Sequence, residues 1–257
     1  MAVKKTKKLS ELQKITTATG DQMIPVVDAS GNVNPIKLTD LVQVVAGLMP
    51  QNTLYGKISD GVFIMFHRNS DNYSLAVKPD KWASYQNSGE IAEGVMVVEG
   101  GKILVVAPTE ATLYWSSAAV SAGGKTTTDR LTALDDWAGK TSTAEQVKHS
   151  ECKTESYAPG FCASYERVNA NGQGLTAGKW WLPSLGELMM IYANMRKINY
   201  ALSLINGATQ LTETWYWSST ECSATGAWGL GLGYGNADTS TKAAYQSRVR
   251  PVSAFLR

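Results

Sequence analysis

The sequence predicts an α+β chain: a small N-terminal piece, a β-rich stretch, and a larger C-terminal region where strands and helices mix. Three observations carry that class. The apolar runs Val95-Met96-Val97-Val98 and Ile103-Leu104-Val105-Val106 flank Glu99-Gly100-Gly101-Lys102, the pattern of a hairpin closed by a tight primed turn. Ser184-Leu185-Gly186-Glu187 forms a capping box ahead of Leu185, Leu188, Met189 and Tyr192, which share one helical face. Trp228, Leu230, Leu232 and Tyr234 alternate with Gly229, Gly231, Gly233 and Gly235. That period of two gives a strand with one bulky face and one bare face, which another backbone can approach closely.

Three zones follow in order. In residues 1–50, Met23-Ile24-Pro25-Val26-Val27 and Val33-Asn34-Pro35-Ile36-Lys37-Leu38 are extended candidates separated by the turn residues Asp28-Ala29-Ser30-Gly31-Asn32. Thr39 can cap a helix carrying Leu41, Val44, Val45 and Leu48, which Pro50 ends. So small a segment buries too little to stand alone and calls for a partner or an oligomer. Residues 51–93 read as a β-rich connecting segment containing the apolar run Val62-Phe63-Ile64-Met65-Phe66. Residues 94–257 hold the hairpin, one helix suggested by Leu131, Leu134 and Trp137-Ala138, the capped helix, a further short helix from Asn199 to Ile205 closed by Asn206-Gly207, and the glycine-alternating strand.

Composition narrows the chemistry. The chain has 257 residues, 44% hydrophobic and 18% charged, an ordinary balance for a globular protein. A formal charge of +2 argues against nucleic acid as a partner. There is no apolar stretch long enough to span a membrane as a helix, and the Lys4, Lys5, Lys7, Lys8 run is not followed by the apolar core of a signal peptide. Synthesis in a reducing cytoplasm is therefore expected. Histidine is confined to His67 and His149 and cysteine to Cys152, Cys162 and Cys222, so a histidine-dependent active site has little to draw on. Three thiols cannot all pair within one chain, against a secreted disulfide scaffold. Tryptophan is abundant, with eight residues at 82, 115, 137, 180, 181, 215, 217 and 228.

Each motif with chemical potential has a plainer reading. Ala119-Val120-Ser121-Ala122-Gly123-Gly124-Lys125-Thr126 fits a relaxed phosphate-loop pattern, but no βαβ succession surrounds it. The 229–235 glycine run lacks a dinucleotide-binding context. His149, Cys152 and Cys162 lack the paired spacing and fourth ligand of a zinc site, so buried or loop thiols are expected. No metal, cofactor or catalytic residue is assigned. Trp180-Trp181 cannot both face one way in an extended segment, so at least one belongs to the core. Tyr-Trp-Ser-Ser occurs twice, at 114–117 and 216–219, and reads as two equivalent strand-to-loop corners.

Trp181-Leu182-Pro183-Ser184, Glu187-Leu188, Tyr216-Trp217-Ser218-Ser219-Thr220-Glu221, Ala227-Trp228 and Arg248-Val249-Arg250-Pro251-Val252 follow one another in an order that resembles a bacterial and phage family. Its members are C-type-lectin-like domains related to the formylglycine-generating-enzyme fold. They show Trp-Arg-Leu-Pro…Glu-Leu, a Tyr-Trp-Ser-Ser corner and a terminal Val-Arg-x-Val strand. Here the arginine between Trp181 and Leu182 is missing. The resemblance implies a twisted antiparallel sheet with two flanking helices and long loops, used for binding. Residues 220–247, rich in Ser, Thr, Ala, Gly, Asn and Tyr, fit a paratope of adaptable polar groups around a few aromatics. The contact residues it points to are Trp215, Thr220, Glu221, Tyr234, Asn236, Asp238 and Tyr245, with Trp181, Trp217 and Trp228 as core markers. The Glu-Pro-Asn, Gln-Pro-Asp and Trp-Asn-Asp triplets of calcium-dependent sugar-binding lectins are absent. So is the reactive cysteine pair of the formylglycine-generating enzymes, since only Cys222 lies in the C-terminal region.

Leu9-Ser10-Glu11-Leu12, Ile24-Pro25-Val26, a Gly-Asn turn and Ile36-Lys37-Leu38-Thr39-Asp40-Leu41 resemble the attachment segment of phage fibre and tail-associated proteins. Together the two resemblances imply a non-enzymatic virion protein, a capsid (head) or tail fibre. Residues 1–50 would join other virion proteins, the C-terminal domain would contact a host-surface glycan or protein, and the assembly would be a homo-oligomer, a trimer by preference. A capsid-decoration or assembly protein without receptor binding, and a bacterial surface adhesin, are the alternatives.

Overall fold

A computed structural model describes residues 23–27, 32–37 and 59–255. The chain divides into two units, Met1–Ile58 and Ser59–Arg257. In the first, β1 (Met23–Val27) and β2 (Val33–Lys37) pair antiparallel, with Met23 opposite Lys37 and Val27 opposite Val33. These are the two extended candidates. The lysine run and the helix expected after Thr39 lie outside the described residues.

The second unit begins with β3 (Gly61–His67) and β4 (Ser74–Val77), followed by α1 (Trp82–Asn87). Next come β5 (Gly94–Glu99), β6 (Lys102–Val106) and β7 (Ala111–Tyr114). Three short helices follow, α2 (Arg130–Leu134), α3 (Gly139–Gln146) and α4 (Ala158–Ser164). After β8 (Arg167–Val168), β9 (Gly174–Leu175) and β10 (Trp180–Trp181) runs α5 (Leu185–Ser203). The chain ends in β11 (Trp215–Glu221), β12 (Gly226–Gly231), β13 (Asn236–Thr241), β14 (Gln246–Val249) and β15 (Val252–Ser253).

The strands build two larger sheets, ordered β10-β15-β6-β5-β3-β4 and β13-β12-β11-β14-β7. The architecture is mixed α+β, mostly antiparallel sheet with few helices. The predicted hairpin is β5–β6: Glu99 pairs with Lys102, and Gly100 and Gly101 supply φ of 56° and 77°, a conformation that bulkier residues resist. Residues 61–67 and 74–77, read from sequence as part of a connecting segment, extend that same sheet, with Gly61 opposite Val98 and Met65 opposite Gly94. β14 joins β11 through one pair, Tyr216 with Arg248.

α5 lies between the two sheets. Its Leu188, Ile191, Ile198 and Leu202 meet Ile64, Phe66, Val95 and Val97 from one sheet and Tyr216, Trp228 and Leu230 from the other. Its capping box forms as the sequence predicts, and Glu187 Oε2 accepts the Ser184 amide at 2.8 Å. The separate helix expected at Asn199–Ile205 is instead the end of α5. No glycine or proline interrupts residues 187–203, and Ile198 and Leu202 continue the apolar stripe. Conversely, the helix expected across Leu131 to Ala138 stops at Leu134, and α3 begins only at Gly139. Asp136 Oδ1 accepts the Ala138 amide at 2.9 Å, a local turn that competes with the helical ladder. A second core packs Trp115, Cys152, Cys162, Leu182, Trp217 and Val249.

Trp180 and Trp181 are both buried, in different places. Trp180 Nε1 donates to the Leu175 carbonyl at 3.0 Å, whereas Trp181 Nε1 donates to Glu187 at 3.1 Å.

Candidate functional site

The five-stranded sheet presents an unusual surface, and the ladder register explains it. Residues directly opposite in antiparallel strands share a face. One row therefore reads Trp215, Gly231, Asn236, and the next Trp217, Gly229, Asp238. Gly231 and Gly229 carry no side chains on that face, and the Trp215 indole stands beside them. A Cβ at Gly231 would stand 3.6 Å from indole atoms Cε2 and Cζ2, and one at Gly229 would stand 3.7 Å from Cε3. The indole thus stands about a methyl group's width off β12, and the residue is 40% exposed. The bare face expected from the alternating glycines is real, but an indole covers much of it. The alternation also stops at Gly231; residues 232–235 turn toward β13.

Trp217 lies in the neighbouring row and is buried, because the second core ends between the two rows. There the two Tyr-Trp-Ser-Ser copies interlock. Trp115 Nε1 donates to the Ser218 carbonyl at 2.9 Å, and Trp217 Nε1 donates to the Leu113 carbonyl at 3.0 Å. They are not equivalent corners: the first ends β7, and the second lies inside β11.

Of the seven sequence-predicted contact residues, four cluster. Trp215, Asn236 and Asp238 share the open face, and Tyr234, 89% exposed, sits in the turn joining β12 to β13 at the Trp215 end. Tyr245 is also exposed, but its amide donates to Thr241 at 3.3 Å, which places it at the opposite end of β13. Thr220 and Glu221 are corrected outright: both are buried. From Tyr216 to Glu221 the strand is buried on both faces, and a register shift falls between Trp217 and Glu221. Thr220 Oγ1 donates to Asp136 Oδ2 at 2.7 Å and accepts the Leu185 amide at 3.0 Å. Glu221 Oε2 meets Lys242 Nζ at 2.5 Å and accepts the Ala122 amide at 3.1 Å, while Oε1 accepts the Gly124 amide at 3.0 Å. The phosphate-loop-like stretch therefore does cradle an anion through its backbone amides, but that anion is the protein's own carboxylate.

Sequence reading missed another constellation. His67 Nδ1 contacts Glu93 Oε1 and Oε2 at 2.8 Å, and Ser74 Oγ lies 2.9 Å from His67 Nε2. The order resembles a nucleophile, a base and its orienting acid. The surroundings make it a clamp. Ser74 is 4% exposed and Glu93 fully buried, and Glu93 also accepts the His67 amide at 2.9 Å and the Leu175 amide at 3.1 Å. Glu93 thereby ties β3 to the β8–β9 hairpin. Only the cross-strand pairing of His67 with Ser74 brings these residues together, and no sequence spacing announces it.

The remaining polar groups also serve the frame. Arg250 Nη2 lies 2.6 Å from Glu110 Oε2, which accepts the Tyr216 hydroxyl at 2.9 Å. Burial pushes the Glu187 carboxyl up to about 7 and the Cys152 thiol up to about 12, and raises the Cys162 thiol well above its ordinary value. His149, Cys152 and Cys162 do not gather, and among the described residues no group of three or more His, Cys, Asp or Glu side chains is placed to hold a metal. None of the described helices is long and apolar enough to cross a membrane.

No protein-family model and no curated protein matches this sequence. A solved structure, that of a fimbrial protein from Bacteroides ovatus ATCC 8483, superposes with a TM-score of 0.53 at 15% identity, over 77% of this chain and 49% of the other. The chain thus spans about half the length of that protein. At this identity the likeness is one of fold.

Proposed function

We propose that this chain is a binding protein of a bacteriophage particle, a capsid or tail fibre component with a C-type-lectin-like C-terminal domain and no catalytic role. The observation that carries the binding role is the Trp215 indole, backed by Gly229 and Gly231 and flanked by Asn236 and Asp238 on an open sheet face. A half-exposed aromatic ring offers contact area at little entropic cost, and polar neighbours add selectivity. The ordered motifs Trp181-Leu182-Pro183, Tyr216-Trp217-Ser218-Ser219 and Val249-Arg250-Pro251-Val252 support the family reading. The host-surface partner is a glycan or a protein. Residues 1–50 attach to other virion proteins, and the particle carries the chain as a homo-oligomer, a trimer by preference.

A second reading, a bacterial surface adhesin, draws support from the fimbrial structural neighbour. A purely structural decoration protein would share the fold and leave Trp215 unused. One experiment separates the three: locate the protein by antibody on purified phage particles and on intact cells, and measure adsorption after replacing residues 220–245 with another member's loops. The virion reading expects labelled particles, intact assembly and altered adsorption. Unchanged adsorption sinks receptor binding, and labelled cells without labelled particles favour the adhesin. Deleting residues 1–50 should leave a soluble domain that no longer enters particles; its incorporation would refute the anchor.

A further inference from the structure

We infer that β13 is a docking strand for the β13 of a second copy of this chain, the two adding antiparallel about a two-fold axis at Thr239. The contact is separate from the assembly proposed for residues 1–50 and from the role of Trp215.

β13 is the outer strand of its sheet, and the hydrogen-bond phase shows which of its backbone groups are unused. The Lys242 amide donates to the Thr225 carbonyl at 3.0 Å, one step beyond the pair of Gly226 with Thr241. Bonded and non-bonded pairs alternate in an antiparallel ladder. Thr241, Thr239 and Ala237 therefore fall in non-bonded positions and turn their N–H and C=O groups away from β12. The Thr239 amide agrees, since it donates to its neighbour Asp238 Oδ1 at 2.7 Å and not to β12. A carbonyl on an incoming strand can take the place of that short-range partner. The register with β12 runs through all of β13 without a shift, and every residue of β13 is exposed or half-buried. The strand contains no proline, lysine or arginine, residues that commonly blunt such an edge. The other outer strands of the two larger sheets differ: β4 has four residues, β10 has two, and β7 is bridged at Tyr114 by Tyr157.

Phase and charge together select the occupant. Only residues with outward groups can bond across the junction, which restricts β13 against itself to a few registers. With Ala237 opposite Thr239, Asp238 would face its own twin, a destabilising like-charge pair. Registers centred on Ala237 or Thr241, or setting Thr239 opposite Thr241, leave at least one of the three outward residues unbonded. With Thr239 opposite itself, Ala237 pairs with Thr241 and all three bond. Asp238 then faces Ser240, whose hydroxyl is a donor. That register also carries the turn holding Tyr234 of one copy to the turn holding Tyr245 of the other, and both side chains are exposed in the single chain. A foreign peptide would find little to read here, because Asn, Ala, Asp, Thr, Ser and Thr shape no pocket for alternate side chains. The two-fold axis stands normal to the sheet, so it joins two five-stranded sheets into one and sets both Trp215 residues on the same side.

The test is sedimentation equilibrium of the full chain across a concentration series. A step that doubles the mass of the low-concentration species is expected. Thr239→Pro removes the central outward donor and no bond to β12, so it should keep the wild-type circular-dichroism spectrum and lose the doubling. Thr239→Cys checks the register, since residues facing each other in a bonded pair lie about 5.5 Å apart at Cα, within disulfide reach. Under mild oxidation it should give a disulfide-linked pair on a non-reducing gel, above the background that the wild type sets through Cys222. Asn236→Cys, which faces Lys242 in this register, should stay at that background. No doubling in the wild type, undiminished doubling in a folded Thr239→Pro, or Asn236→Cys cross-linking as readily as Thr239→Cys overturns the inference. If Thr239→Pro fails to fold, the two cysteine variants decide.

Discussion

Lys242 Nζ meets Glu221 Oε2 at 2.5 Å with both side chains almost wholly withdrawn from water, and the two help to close the 119–126 loop. The ammonium also donates to the Val120 carbonyl at 2.8 Å and stands 4.2 Å over the Trp115 ring. The pair thus ties the 119–126 loop, β11 and the end of β13 to the second core. Removing one charge strands the other in a low-dielectric site, which costs more than the pair contributes net. Glu221→Gln or Lys242→Met alone should destabilise the protein by about 3–5 kcal/mol in urea unfolding, and the double change by less than the sum. Additive losses would show that the two side chains act independently.

Glu187 gives the stability a pH dependence opposite to that of an ordinary paired carboxylate. Burial raises its carboxyl from 4.5 in the unfolded chain to about 7 in the fold. Between those values the folded state holds more protons than the unfolded one, so stability falls as pH rises through the window and levels off above it. Comparing pH 5 with pH 8, Glu187→Gln should remove a loss of up to about 3 kcal/mol. A parallel pH profile in wild type and variant would contradict this.

The Ser74–His67–Glu93 arrangement should behave as a clamp. A fluorophosphonate ester is expected to leave Ser74 unmodified in the folded protein by mass spectrometry, since Ser74 is 4% exposed. Covalent labelling at Ser74 would show a working nucleophile. Gly174→Ala is the structural counterpart: at φ +112° its Cβ would fall against the Glu93 carboxylate, and a loss of about 2–4 kcal/mol is expected from strain and the disturbed clamp.

The thiols divide by burial. Cys152 and Cys162 are fully buried with raised thiol values, whereas Cys222 is half-buried. Iodoacetamide at pH 8 should add one equivalent to the native protein, at Cys222, and three in urea. Native modification of Cys152 or Cys162 would show that the second core opens readily.

Local elements were legible in the sequence wherever a local interaction decides them. The Gly100-Gly101 hairpin needs two residues tolerant of positive φ, and the Ser184–Glu187 capping box satisfies its own backbone within three residues, so both are written in short windows. The same holds for the bare face of β12, which follows from strict alternation. Trp215 was legible as a contact candidate because it precedes the Tyr216-Trp217-Ser218-Ser219 motif, whose own Trp217 was assigned to the core with Trp181 and Trp228. Helix ends were less so, because Asp136 breaks one pattern and nothing breaks α5 near residue 193.

What the tertiary structure alone decided is which polar residues face inward. Thr220 and Glu221 look like surface residues from composition, yet β11 is covered on both faces and they meet Asp136, Lys242 and the 122–124 amides, partners about 20 to 100 positions away in the chain. Burying such groups is tolerable only when each finds a partner, and those partners are supplied by long-range packing that no local window contains. By the same logic the sequence determined that an aromatic would be left for contact, while the ladder that sets Trp215 opposite Gly231, and Gly231 opposite Asn236, determined which residues share its face.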